Sequence, residues 1–189
     1  MQIQFWRINA NTQEGCQFMF TIESFPLPGE ALLGVYKRSG AYTDCYSTEI
    51  AGAVTYAQFI TAFFTTPVFK LERLILKLAV SKPSSDAEVN LLAEGETDTF
   101  AAWSVENRGE NQLLMCDFQG RTRLWLMIEP VESSNRTRLY LGSALVPVKN
   151  TKTGVSSFGL TFYALNWLHK IYSVVLLLSA KSRLKILRA

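Results

Sequence analysis

The chain has 189 residues and a formal net charge of +3, with 48% hydrophobic and 19% charged residues. Those proportions exclude a disordered chain, and a domain of this length buries enough surface to fold without a disulfide or metal staple. So small a charge, with Lys and Arg mostly dispersed, also argues against a nucleic-acid-binding surface.

Residues 1–41 read as a loosely packed N-terminal extension leading into the domain, with short strand-like stretches at 3–5 and 18–22 before Pro26, Pro28 and Gly29 break the chain. The first residues lack a charged segment followed by an apolar one, so no secretory signal is expected. Cys16, Cys45 and Cys116 are odd in number and fit neither a zinc spacing nor a disulfide framework. Free thiols in a reducing compartment are the simplest account, which points to a cytoplasmic protein. No spacing suggests a bound cofactor or metal.

The segment 42–50, YTDCYSTEI, carries the β-branched and aromatic residues of a strand. Over 54–64, Tyr56, Phe59, Ile60 and Phe63 recur at helical spacing. Pro67 ends that helix and opens another, in which Val68, Leu71, Ile75 and Leu78 form one apolar stripe with Lys70, Arg73 and Lys77 outside it. Ser85 and Glu88 have the spacing of a capping box for a short helix ahead of Gly95. Four strands follow, at 97–105, 112–118, 121–131 and 136–148, close enough in sequence for antiparallel hairpins. Several are apolar on both faces, so one face is expected against a helix and the other against a cavity, the extension or a partner.

After a loop at 149–154, a last helix is expected over about 156–187. Phe162, Leu165, His169, Tyr172 and Leu176 share one face of it. Its uninterrupted apolar run, 171–180, is shorter than the roughly 20 residues a membrane span needs, so no transmembrane span is expected. Lys181, Arg183, Lys185 and Arg188 cluster at its end. They suit either a solvated helix terminus or peripheral contact with an anionic membrane. Together these elements predict an α+β domain with a curved antiparallel sheet.

The order strand, two helices, antiparallel strands, long C-terminal helix resembles the helix-grip arrangement of the START, Bet v1 and polyketide cyclase relatives, the SRPBCC superfamily. Within it the chain is similar to the uncharacterised DUF2867-like proteins. YTDCY at 42–46 resembles their opening strand, AFFTTPVFKLERLILKL at 62–78 their two-helix stretch, and RLWLMIEPV at 123–131 their central strand. The run VPVKNTKTGVSSFGLTFY followed by ALNWLHKIYSVVLL resembles their last strand, loop and helix, departing at Trp167 and Leu168 where Pro and Phe are expected. The resemblance implies a helix-grip domain over 42–189, with two short helices after the first strand and a long C-terminal helix across the sheet. It also implies an apolar cavity between the two and carries over no established activity.

His169 is the only histidine, and Asp44 sits mid-strand between aromatics, where carboxylates are depleted. Two readings stand side by side for each: a catalytic pair in a dry cavity, or polar residues satisfied within the core. Asp98 and Asp117 read as strand-end residues, and Glu94 and Glu96 as an exposed charged linker. Trp103, Trp125 and Phe118, on strands, either line a pocket or pack the core. The leading expectation is a protein that binds a small apolar molecule between sheet and helix, through Trp103, Trp125, Phe162, His169 and Tyr172. The alternatives are a cyclase- or isomerase-type enzyme using Asp44 and His169, and a membrane-surface or protein-interaction module using the basic C-terminal helix.

Overall fold

The computed structural model describes residues 22–132, 134–146, 148–149, 156–157 and 160–188, with the side chains at 23, 80, 148–149, 156–157 and 160–168 outside that description. In chain order the elements are β1 (Glu23–Ser24), α1 (Gly34–Arg38), β2 (Tyr42–Ala51), α2 (Tyr56–Phe64), α3 (Pro67–Val80) and α4 (Asp86–Glu94). They continue with β3 (Thr99–Phe100), β4 (Trp103–Arg108), β5 (Gln112–Asp117), β6 (Thr122–Pro130), β7 (Arg136–Leu145), β8 (Val148–Lys149), β9 (Ser156–Ser157) and α5 (Leu160–Leu187). The fold is α+β. One open antiparallel sheet of seven strands runs in the order β1-β2-β7-β6-β5-β4-β3, and β8 and β9 form a separate pair. The long strand nearest the start of the chain, β2, therefore lies beside the last long strand, β7, through ten paired residues from Tyr42↔Leu145 to Ala51↔Arg136.

Local chemistry starts α2, α3 and α4. Thr55 and Gln58 cap α2 reciprocally, Gln58 N–H donating to Thr55 Oγ1 at 3.2 Å and Thr55 N–H to Gln58 Oε1 at 2.9 Å. Thr66 Oγ1 accepts from Phe69 N–H at 3.1 Å, with Pro67 in the first turn of α3, where its missing N–H costs nothing. The expected Ser85–Glu88 capping box opens α4, and Gly95 closes it at φ 80°, a conformation glycine adopts without strain.

Side chains alternate between the two sheet faces. On the front face, Tyr46, Leu126, Leu139 and Leu141 pack against α2, α3 and α5 around a nest of aromatic rings. Phe64 and Phe69 meet edge to face at 4.8 Å, and Phe100 joins them 5.2 Å from Phe64. On the rear face, Cys45, Trp125, Met127 and Tyr140 pack against Ala31 and Leu33.

The rear layer is the first departure from the sequence reading. Residues 22–41 do not hang loosely ahead of the domain: Leu33 is fully buried, Phe25 N–H bonds the Cys45 carbonyl at 2.9 Å, and β1 extends the sheet. Gln112 clamps this layer, its Oε1 accepting from Leu32 N–H at 2.9 Å and from the Trp125 indole at 3.0 Å. The contact is close enough to require glycine at 142. A Cβ there would stand 2.9 Å from Trp125 Cε3 and 3.0 Å from Leu33 Cδ2. Residues 1–21, with their expected strand-like stretches, lie outside the described residues.

Two further expectations, on the strand at 97–105 and the start of the last helix, are corrected, and the direction of the α3 stripe is resolved. The single strand at 97–105 is a tight hairpin, β3 to β4, turning at Ala101–Ala102 with Ala101 at φ 52°. The apolar stripe of α3, whose direction the sequence left open, divides: Val68 packs partly buried against the core, whereas Leu71, Ile75 and Leu78 are exposed and Arg73 is buried against Phe100. Arg73 is held by Ser84 and Asp86, so its charge is paired where its stem is covered. The last helix begins at Leu160 rather than 156, because Ser156–Ser157 pair with Val148–Lys149.

Candidate functional site

Between the front of the sheet, α3 and α5 lies a cavity of about 620 Å³. Its walls are mostly apolar: Phe63 from α2, Phe69 from α3, Leu124 from β6, Leu141 from β7 and Leu176 from α5. At the rim stand Leu71, Ile75 and Phe118, each more than half exposed. Two polar clusters interrupt the apolar wall.

The first joins β2, β7 and α5. Asp44 and Ser143 are cross-strand partners, which puts their side chains on one face. Asp44 Oδ1 accepts from the Ser143 N–H at 3.1 Å and from its hydroxyl at 2.6 Å. The same hydroxyl lies 2.7 Å from His169 Nε2. Asp44 Oδ2 is buried, has no hydrogen-bond partner among the described residues, and sits 3.6 Å from His169 Nε2. The Asp44 side chain is only 9% exposed, whereas His169, at 26%, reaches the cavity. The two residues singled out in the sequence thus meet, through a serine the sequence reading did not name.

The second cluster joins α3, α5 and β4. The Tyr172 hydroxyl donates to Glu72 Oε2 in a short hydrogen bond. Burial pushes the Glu72 carboxyl above its ordinary value, and hydrogen bonds from Tyr172 and Trp103 pull the other way without reversing the shift. The Tyr172 phenol is pushed up as well, by burial and then by the Glu72 charge. His169 and Tyr172 stand three residues apart on α5, so the two clusters occupy adjacent turns of one helix face.

A raised carboxyl holds its proton more tightly folded than unfolded, so folding stability falls as pH rises from the ordinary value of 4.5 through the folded one. Glu72→Gln removes that titration and keeps an acceptor for Tyr172. The variant is expected to match the wild type at acid pH and to exceed it increasingly toward neutrality, as read from denaturant midpoints across the pH range.

Of the residues named from sequence, Trp103, His169 and Tyr172 line the cavity, and so does Phe118. Trp125 lies on the rear face, fully buried with its indole N–H on Gln112, and is not part of the cavity wall. Phe162 belongs to α5, but its side chain is outside the described residues. Asp117 borders the cavity while its Oδ1 caps the following turn, accepting from Arg121 and Thr122 N–H at 2.7 and 2.8 Å. Asp98 makes a long contact to Arg108 at 3.7 Å, and Glu94 and Glu96 are exposed.

Cys45 is buried and its thiol is pushed up to about 12, by burial first and then by the Asp44 charge, so no thiolate is available there. Among the described residues, no group of three His, Cys, Asp or Glu is placed to hold a metal ion, and no helix is long and apolar enough to cross a membrane. In the C-terminal basic cluster, Lys181 turns inward to donate to Thr48 Oγ1 at 3.0 Å, and Arg188 donates to the Ala51 carbonyl at 3.0 Å.

Ser143 and Glu72 escaped the sequence reading for different reasons. Ser143 acquires its role from a register linking residues 99 positions apart. Glu72 carried one signal, as the only acid in a helix otherwise basic and apolar. Comparison of the chain with protein-family models, with curated proteins and with solved structures finds no match.

Proposed function

We propose that this protein is a helix-grip domain of the START and Bet v1 kind, related to the DUF2867-like proteins, that holds a small, mainly apolar molecule between its sheet and α5. The observation that carries the reading is the cavity of about 620 Å³, a volume within the usual range for small-molecule sites. Its apolar wall and few convergent polar groups fit an amphipathic guest. The strand order, with β2 beside β7 and the helices α2, α3 and α4 between β2 and β3, supports the architectural part.

N-phenyl-1-naphthylamine, an uncharged apolar fluorophore, is expected to bind saturably at one site per chain with unchanged circular dichroism. Leu71→Glu and Ile75→Glu alter only exposed rim positions, so both variants should fold normally. Each should weaken the probe several-fold, because a charge is placed on the path of an apolar guest. No saturable binding to the folded wild type, or unchanged binding in both variants, overturns the reading.

A second reading, a cyclase- or isomerase-type enzyme, is favoured by one observation. The buried Asp44 carboxylate is linked through Ser143 to a histidine that borders the cavity. A guest extracted from the purified protein and reincubated with it would then change chromatographic retention at constant mass. A guest recovered unchanged leaves binding alone.

A further inference from the structure

We infer that Ser143 fixes His169 in the tautomer protonated at Nε2, which leaves Nδ1 as a hydrogen-bond acceptor, and that the guest of the cavity therefore carries a hydroxyl group, phenolic or alcoholic. The inference rests on the cavity-binding reading and adds the chemical class of the guest.

The argument is an accounting of single protons. The Ser143 backbone N–H can only donate, and its acceptor is Asp44 Oδ1 at 3.1 Å. The Ser143 hydroxyl lies 2.6 Å from that same oxygen and gives it its one hydrogen. A hydroxyl whose hydrogen is spent can meet a third group only with a lone pair. The third group is His169 Nε2 at 2.7 Å, so that nitrogen carries the proton and donates to Ser143 Oγ. Asp44 Oδ2, buried and without a hydrogen-bond partner 3.6 Å from Nε2, adds negative potential on the same side.

In the neutral imidazole the other nitrogen is then a bare acceptor. Nδ1 has no hydrogen-bond partner among the described residues, and the ring borders the cavity. A purely apolar guest would strip water from that nitrogen without replacing its hydrogen bond, which costs affinity. A guest that presents an O–H there replaces it. Ser143 is accordingly a positioning residue. It need not touch the guest, and it acts by choosing which imidazole nitrogen carries the proton.

Two measurements test this on the intact protein. The chain has one histidine, so a long-range nitrogen–proton correlation spectrum of the labelled wild type reports a single imidazole. Protonation at Nε2 alone is expected, and Ser143→Ala should shift the ring toward a mixture of tautomers. A wild-type ring protonated at Nδ1, in either neutral or cationic form, overturns the inference.

The second measurement compares naphthol with its methyl ether, nearly equal in shape and apolar area. Naphthol is expected to bind roughly fivefold tighter, the worth of one net hydrogen bond. The preference should shrink in Ser143→Ala and vanish in His169→Phe. Equal binding of the two probes to the wild type overturns this inference and leaves the cavity reading standing, whereas binding of neither overturns both.

Discussion

Trp125→Ala is expected to cost about 3–5 kcal/mol, the range for removing a fully buried large aromatic side chain. Trp125 has no exposed surface, packs 6.0 Å from the Tyr140 ring, and donates its indole N–H to Gln112 at 3.0 Å. The damage should concentrate on the rear layer, because Gln112 Oε1 also receives Leu32 N–H. Urea unfolding would read the loss of stability. Limited proteolysis would read its location, as earlier cleavage within residues 25–41 than elsewhere. Binding of an apolar guest on the front face should survive wherever the variant remains folded. Selective loss of guest binding, with the rear layer still protected, would place Trp125 functionally in the cavity and contradict the packing.

Phe69→Ala is the second large effect, and its expected signature differs. Phe69 is almost wholly buried, is in ring contact with Phe63, Phe64 and Phe100, and also forms part of the cavity wall. Truncation should again cost about 3–5 kcal/mol, but the space released adjoins the existing cavity and enlarges it. The variant is expected to lose stability when empty and to recover part of it with a guest bulkier than the wild type accepts, since a ligand bound only to the folded state stabilises by mass action. Thermal melts with a graded series of alkylnaphthalenes would show the preferred size moving upward. An unchanged preference would mean that the walls collapse into the space.

The two outcomes also mark what the sequence could reveal. Elements set by local chemistry were legible. The Ser85–Glu88 box starts α4, Pro67 opens α3, and the segments around 112–118, 121–131 and 136–148 are strands. Where a signal depended on distant partners, it failed. The stretch 97–105 alternates well enough to read as one strand, yet it folds back at Ala101–Ala102 without the Gly or Asn such a turn usually carries. The Leu71, Ile75 and Leu78 stripe obeys helical spacing, but helical spacing does not say whether a face meets protein or the rim of a hollow. Trp125 and Trp103 looked equivalent as strand aromatics, and only the sheet register sends them to opposite faces. At the site, Asp44 and His169 stood out by rarity of type and position, while their linker Ser143 is an ordinary small residue made special by cross-strand pairing.

The two helical walls of the cavity are held with unequal firmness. Beyond the cavity, α5 buries Leu177, Ala180 and Leu184 completely and ties Lys181 to β2, so its far end is anchored in the closed core. Much of α3 instead leaves Leu71, Leu74, Ile75 and Leu78 exposed, and it is attached through Phe69 near one end, Arg73 on Ser84 and Asp86, and Glu72 on Tyr172. Segments with fewer buried contacts open at lower free-energy cost. The enclosure therefore behaves like a box with one fixed side and one sprung side. For the guest proposed above, α3 is therefore the wall expected to yield, against the restraint of the Arg73–Asp86 pair and the Glu72–Tyr172 hydrogen bond.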